Sequence, residues 1–262
     1  MNRMHQQGFT LVEMSIVLVI IGLILGAVSI GKDLQRDAEY SKIKQKFVDQ
    51  WVQAYNTYYQ RTGVVLGDDQ TAPRIMVNGT NYAAAGANTP ISGGNMTGVA
   101  APGAICRGAA GQRMTRAMQA GVNLHTLMDQ VGIRMPPGRA EGQEDRYVYL
   151  DSNGNPQEIQ ICFQWNNPAT ASGSGNVMVV SGLTPDLART LDQMIDGKPD
   201  AQEGNFRQEG VANGNAGQAG VQWAGNNSQA ITVAANAGAA AGGANLDEDQ
   251  VIVVVAHYKM IQ

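Results

Sequence analysis

Glu13 is the residue whose chemistry fits its surroundings least. It lies in Phe9 to Ile30, a run of about 22 residues with no other charge and no proline. At 1.5 Å per residue that run is long enough to cross a hydrocarbon core of roughly 30 Å. A carboxylate inside such a run costs on the order of 2.5–3.5 kcal/mol on insertion scales, so it calls for a partner. No Lys or Arg stands within a helical turn of it, and the helix itself offers nothing to neutralise it. Gly8, a small residue directly before the run, is a candidate cutting point. A break between Gly8 and Phe9 creates an α-amino group four residues before Glu13. That amine on one subunit can pair with Glu13 of its neighbour. The competing account leaves Glu13 at the membrane surface, snorkelling or protonated.

Other residues invite chemical readings. Cys106 and Cys162 allow one intramolecular pairing. It would close a loop of about 57 residues, worth roughly 4 kcal/mol in the chain-entropy model. The alternative is two unrelated buried thiols. Asp192, Asp196 and Asp200 recur every four residues around a Gly-Lys-Pro turn. A cation site there is a weak candidate beside a capped, solvent-facing turn. Asp151, Asn153 and Asn155 resemble the start of a calcium loop, but Gly154 is misplaced and no Glu closes the loop. A tight hairpin turn explains them better. His5, His125 and His257 are far apart in sequence, and there is no HExxH, GxSxG or P-loop pattern. An enzyme is therefore not expected, nor is a cofactor, calcium being the one ion the sequence leaves room for.

Composition narrows the class further. The chain has 262 residues, a net charge of −4, 32 glycines and only 15% charged residues. A weakly acidic chain argues against nucleic acid as the main partner. Low charge and abundant glycine suggest a loop-rich extracytoplasmic surface. Beyond the apolar helix about 200 residues remain, enough for a globular core.

The elements that would position these residues can be read in order. Lys32 to Thr62 continues the helix as an amphipathic stretch. Ile43, Phe47, Trp51, Tyr55, Tyr58 and Tyr59 make the face that packs against the body, and Gly63 ends it. Gly22 and Gly26 have the GxxxG spacing that lets helices approach closely, or are simply small residues tolerated there. Arg74 to Val77 is a short strand candidate before an Asn78-Gly79 turn. Arg113 to Met128 has helical propensity, weakened by Gly121. Tyr147–Leu150 and Glu158–Trp165 read as a hairpin, and Val177–Val180 as a further strand. Pro185 to Asp196 is a helix with Thr184 as N-cap and Gly197 as its stop. Gln202 to Asn245 has no lasting period and reads as a loose surface segment. Val251 to Ala256 is a closing strand. The fold class is α+β, a long N-terminal membrane-spanning helix packed on an antiparallel sheet. Its divisions are a leader at 1–8, a helix at 9–62 and a globular part at 63–262.

Gly8-Phe9-Thr10-Leu11-Val12-Glu13, with the apolar run behind it, resembles the processing site of type IV pilins and type II secretion pseudopilins. The resemblance implies cleavage after Gly8 by prepilin peptidase, N-methylation of Phe9 and an assembly role for Glu13. The short leader with Arg3 is in keeping with it. The Ile195-Asp196-Gly197-Lys198-Pro199 stretch also resembles a helix and turn found in prepilin-like proteins. One departure is the lack of any proline before Pro73, so helix melting on assembly would have to use Gly22, Gly26 or Gly31. The basic residues flanking the run barely decide its orientation. The resemblance implies a cytoplasmic N-terminus in the inner membrane and a body outside, where Cys106 and Cys162 meet oxidising conditions and are expected to pair. It further implies partners among other pilin or pseudopilin subunits and an inner-membrane assembly platform. The filament would be an extracellular pilus for adhesion, motility or DNA uptake, or a periplasmic pseudopilus. The rival from another class is a binding or enzyme module held by an uncleaved anchor.

Overall fold

A computed structural model describes residues 10–82, 92, 96, 99–108, 116–214, 219–224 and 253–260. The chain falls into two compact units, divided between Lys42 and Ile43. The first contains α1, Leu11–Ile43 up to the division, which runs without a break at Gly22, Gly26 or Gly31. Its apolar side chains are exposed over most of its length, Leu11 by 90% and Leu25 by 65%. No proline interrupts the run, and its Leu, Met and Ala residues favour the helix. Among the described residues, Leu11–Thr62 is the one helical stretch apolar and long enough to cross a membrane.

The second unit opens with a π-helical turn, Lys44–Val48, and continues as α2, Asp49–Thr62. The sequence pattern predicts an ordinary α-helix here, so the π turn is a departure. Its cause lies in the spacing of Ile43, Phe47, Trp51 and Tyr55, all buried and all four residues apart. A four-residue repeat drifts around a helix of 3.6 residues per turn. One extra residue absorbed in a π turn lets the stretch from Ile43 to Tyr55 make about three turns at roughly four residues each, which keeps the stripe on one face. Gly63, at φ 75°, ends α2 as expected.

That stripe packs on a five-stranded antiparallel sheet. The strands are β1 Arg146–Leu150, β2 Pro156–Asn166, β3 Gly175–Leu183, β4 Phe206–Gln208 and β5 Val254–Lys259, in spatial order β1-β2-β3-β5-β4. Phe47 meets Tyr147 with ring centroids 5.3 Å apart, and Trp51 and Tyr55 both meet Phe163, at 6.2 and 5.3 Å. Alternation places Ile159, Ile161 and Trp165 on the same face of β2 as Phe163, all buried. These aromatics and branched aliphatics make up the core under α2. A second helix, Leu124–Gln130, is labelled α3, and α4 is Pro185–Asp196. α4 packs on β4 and β5. Thr184 Oγ1 accepts the Leu187 N–H and Gly197 sits at φ 78°, the start and stop that the sequence predicts. The α+β architecture is therefore as expected.

Two local expectations fail, at 74–77 and 113–128, and two others are adjusted. Residues 74–77 form a turn and not a strand, because Asp68 Oδ2 accepts the N–H groups of Arg74 and Ile75, at 3.0 and 2.8 Å, and folds the segment back. The helix expected over 113–128 shrinks to α3. Gly121 at φ 77° breaks the pattern, Met118 bridges Ala104, and residues 109–115 lie outside the described set. The stretch from Gln202 is anchored at its start, where β4 joins the sheet and the Phe206 ring packs at a tilt against Trp223, centroids 5.3 Å apart. Residues 215–218 and 225–252 lie outside the described residues. The closing strand begins at Val254 and lies inside the sheet, between β3 and β4.

Candidate functional site

The N-terminal site is built at the first turn of α1. The Thr10 N–H and hydroxyl both donate to Glu13 Oε2 at 2.8 Å, and the Glu13 N–H donates back to Thr10 Oγ1 at 3.2 Å. This is a reciprocal capping box, in which two helix-start N–H groups find partners at once. The expectation that nothing in its own helix can neutralise Glu13 is not overturned, but the helix does supply hydrogen-bond partners. Thr10 supplies hydrogen bonds, though not a charge. The sequence signal was present in Thr10-x-x-Glu13 ahead of an apolar run, the pattern of a capped helix start. Both bonds reach one oxygen, and among the described residues nothing engages Glu13 Oε1. Gly8 and Phe9 lie outside the described residues.

Further along α1, a Cβ built on Gly22, Gly26 or Gly31 would meet nothing within 4 Å. Nothing among the described residues requires a small residue there.

The prokaryotic N-terminal methylation motif matches residues 3–29. The chain carries the prepilin signature of type IV pilins and pseudopilins. That signature implies processing by prepilin peptidase and assembly with other pilin subunits. With the apolar α1, it fits a precursor anchored in the inner membrane. No curated protein matches the chain, and no solved structure does.

Elsewhere in this prepilin-like chain, two sequence candidates are brought together and three are put to other use. Cys106 and Cys162 form a disulfide with their Cα atoms 4.6 Å apart. Beside it, Ile105 and Phe163 exchange N–H···O bonds of 2.7 and 2.9 Å. The bridge holds residues 104–106 against the half of β2 that β1 does not reach.

Asp192, Asp196 and Asp200 do not form a ligand set. Among the described residues no three His, Cys, Asp or Glu groups are placed to hold a metal. Each carboxylate has a local task instead. Asp196 Oδ2 accepts the N–H groups of Asn205 and Phe206 at 2.8 Å, which turns the chain into β4. Gly204, at φ 80°, brings its backbone against that carboxylate, where a Cβ would lie 2.3 Å from Asp196 Oδ2. Asp200 Oδ1 accepts from Gln202 and Glu203 N–H at 3.1 and 2.7 Å. Asp192 is fully buried, and its Oδ2 accepts the Trp223 indole N–H at 3.0 Å. Burial, reinforced by the charges of Asp196 and Asp200, pushes Asp192 up to about 8. The Asp151 carboxylate likewise organises the β1–β2 turn, its Oδ1 accepting from Asn153 and Asn155 N–H at 2.9 and 2.8 Å.

Two buried groups escaped the sequence reading because their partners are distant in the chain. The Tyr149 hydroxyl donates to Gly182 O at 3.0 Å and accepts the Thr184 N–H at 2.9 Å, tying β1 to the start of α4. His257 Nδ1 lies 2.6 Å from Ser172 Oγ and 3.1 Å from Asn166 Nδ2. Asn166 Nδ2 also donates to Gly173 O at 3.1 Å, so it is the amide nitrogen. His257 Nδ1 therefore accepts, and the ring proton resides on Nε2.

Proposed function

We propose that this chain is a structural subunit of a type IV pilus-like filament. In this reading prepilin peptidase cuts between Gly8 and Phe9, Phe9 is N-methylated, and α1 packs with its copies in the filament core at the inner-membrane assembly platform. The body forms the outer surface of the filament. The observation that carries the reading is the capped Glu13 at the head of an exposed apolar helix inside the methylation motif. Thr10 holds Oε2 and leaves Oε1 to face a neighbour, so the new ammonium at Phe9 of an adjacent subunit has a fixed carboxylate oxygen to meet. An unneutralised carboxylate in lipid is costly, and pairing in the filament removes that cost. The open space around Gly22 and Gly26 supports close helix approach between copies. The reading calls for no cofactor and no catalytic group.

Mass spectrometry of the N-terminal peptide, from membranes and from sheared surface filaments separately, tests it. A peptide starting at methylated Phe9 in the filaments is the expected result. The same peptide confined to membranes moves the assignment to a periplasmic pseudopilus. An intact leader in both fractions overturns the filament reading and leaves an anchored module.

A further inference from the structure

Residues 219–224 lie as a strap across α4 and β4. The strap belongs to no strand and is held by separate contacts. Ala219 O accepts from Gln202 Nε2 at 3.4 Å, and Val221 O accepts the Ala201 N–H at 2.7 Å. The backbone of Ala224 exchanges hydrogen bonds with the Gln208 side chain, at 2.6 and 3.3 Å. Gly220 passes so close to Asp200 that a Cβ there would lie 2.7 Å from the Asp200 Cβ. Trp223 is the anchor, with its ring against Phe206 and its indole N–H on Asp192 Oδ2.

The Asp192 carboxyl under this anchor is fully buried. Its Oδ1 has no hydrogen-bond partner among the described residues, which suits an oxygen that carries a proton of its own. The charges around it also favour the neutral form. Asp196, one turn further along α4, and Asp200, in the turn that follows, both oppose a charge on Asp192. Lys198 is engaged elsewhere, with its ammonium 3.1 Å from Asp200 Oδ2 and 2.5 Å from Glu203 Oε2. On α4 itself Asp186 stands in the first turn and Arg189 is exposed. On β4 the one charged side chain is Arg207, whose Nε donates to Gly204 O at 2.8 Å. On β5 His257 turns its ring to Ser172 and Asn166, burial holds the Tyr258 hydroxyl above its usual range, and Lys259 is exposed. The strap brings no charge to Asp192, only the indole N–H.

A carboxyl placed in this way ionises when water reaches it. α4 is held by its buried Leu187, Ala188 and Leu191 and is capped at both ends. The strap has no ladder of its own and is the part that can lift. We propose that the 219–224 strap is a latch, closed over the protonated carboxyl of Asp192 and opened when that carboxyl gives its proton to water. Opening lifts Trp223 off α4, hydrates Asp192 and uncovers the Phe206 ring. In the closed form Asp192 keeps its proton up to about pH 8, and in the open form water restores a value near 4. The closed form therefore binds one more proton between those limits. The open population rises about tenfold per pH unit across them and levels off above pH 8. The latch lies wholly in the second unit, and its test is independent of the filament reading.

The test uses the full chain in detergent micelles, with hydrogen exchange followed at single amides from pH 5 to pH 8. Base catalysis alone speeds exchange about tenfold per pH unit, and an opening that releases a proton adds a further factor of about ten. The Ala201 and Ala224 amides, both bonded across the strap, are expected to speed up about a hundredfold per unit. They should also exchange at least tenfold faster than the Ile161 and Phe163 amides of β2. In Asp192→Asn the strap amides should return to about tenfold per unit, and Ile161 and Phe163 as protected as in the parent, or more so, show that the variant is folded. A rise of only tenfold per unit in the parent overturns the proposal. So does strap exchange no faster than that of Ile161 and Phe163, which would mean that the strap opens only with the whole fold. A steep rise that persists in Asp192→Asn overturns it too, and assigns the proton to another group.

Discussion

The indole of Trp223 donates its N–H to the fully buried carboxyl of Asp192 at 3.0 Å. Burial pushes this carboxyl up to about 8, assisted by the nearby charges of Asp196 and Asp200 and opposed by the Trp223 hydrogen bond. The folded chain therefore keeps a proton that the unfolded chain releases near pH 4. The stability this proton contributes is complete below about pH 4 and is lost as the pH rises to about 8. Asp192→Asn keeps an acceptor for Trp223 and carries no charge. It should melt higher than the parent at pH 8.5, by roughly 2 kcal/mol, with the gap closing toward pH 4. Thermal melts of the full chain across that range, followed by tryptophan fluorescence, measure it.

His257 acts in the opposite sense. Burial is the main cause that lowers it to about 3, and the Arg116 charge adds to the effect. Its folded value lies below the unfolded one near 6.5, so its contribution is complete above pH 6.5 and is lost as the pH falls toward 3. Between about pH 4 and 6.5 the slopes from Asp192 and His257 largely cancel. His257→Gln should leave stability falling with rising pH across that window, and the double variant with Asp192→Asn should be nearly flat. The same melts, run as a four-member cycle, separate the two groups.

The Cys106–Cys162 bridge fastens residues 104–106 to β2 beside the Ile105–Phe163 backbone pair. Replacing both cysteines by alanine should cost about 4 kcal/mol by the chain-entropy account, or on the order of 10 °C in Tm. A calorimetric scan of the double variant beside the parent tests the figure. A drop of less than about 2 °C would show that burial of Ala104 and Ile105 holds this segment without the bridge.

Glu13 has two separable roles, a cap and a charge. Glu13→Gln keeps the capping pattern, because glutamine serves at this position of a capping box, and removes the charge. Glu13→Val removes both. If pairing with a neighbour's ammonium drives assembly, filament yield should fall with glutamine as far as with valine, while processing at Gly8 continues. Quantifying sheared filaments and the mature N-terminus in the two variants decides it. Near-normal filaments with glutamine would assign the role to the cap alone.

Gly8→Ala should slow or block processing, so that the leader persists in most of the protein. The ratio of precursor to mature chain on a gel reads this directly. An unchanged yield of mature chain would move the cutting point elsewhere.

What sequence alone determined in this protein is local or periodic. The apolar run from Phe9, the Thr184 cap, the Gly63 and Gly197 stops and the Asp151 turn each depend on residues within a few positions of one another, and a chain read in order shows them. The capping box at Thr10 and Glu13 belongs to the same class and was legible, though a search for a countercharge passes over it. Tertiary structure alone decided the rest. Asp192, Asp196 and Asp200 look like ligands by spacing. Trp223 and the backbone at 202–206 claim them because the chain returns to α4 after β4. The strand expected at 74–77 yields to Asp68, whose carboxylate collects the N–H groups that a ladder would have used. The tautomer of His257 follows from Ser172 and Asn166, more than eighty residues away. The strand order, with β5 inside the sheet between β3 and β4, is likewise decided only by the folded chain. In each case a polar group must find a partner once it leaves water, and packing between distant segments selects that partner.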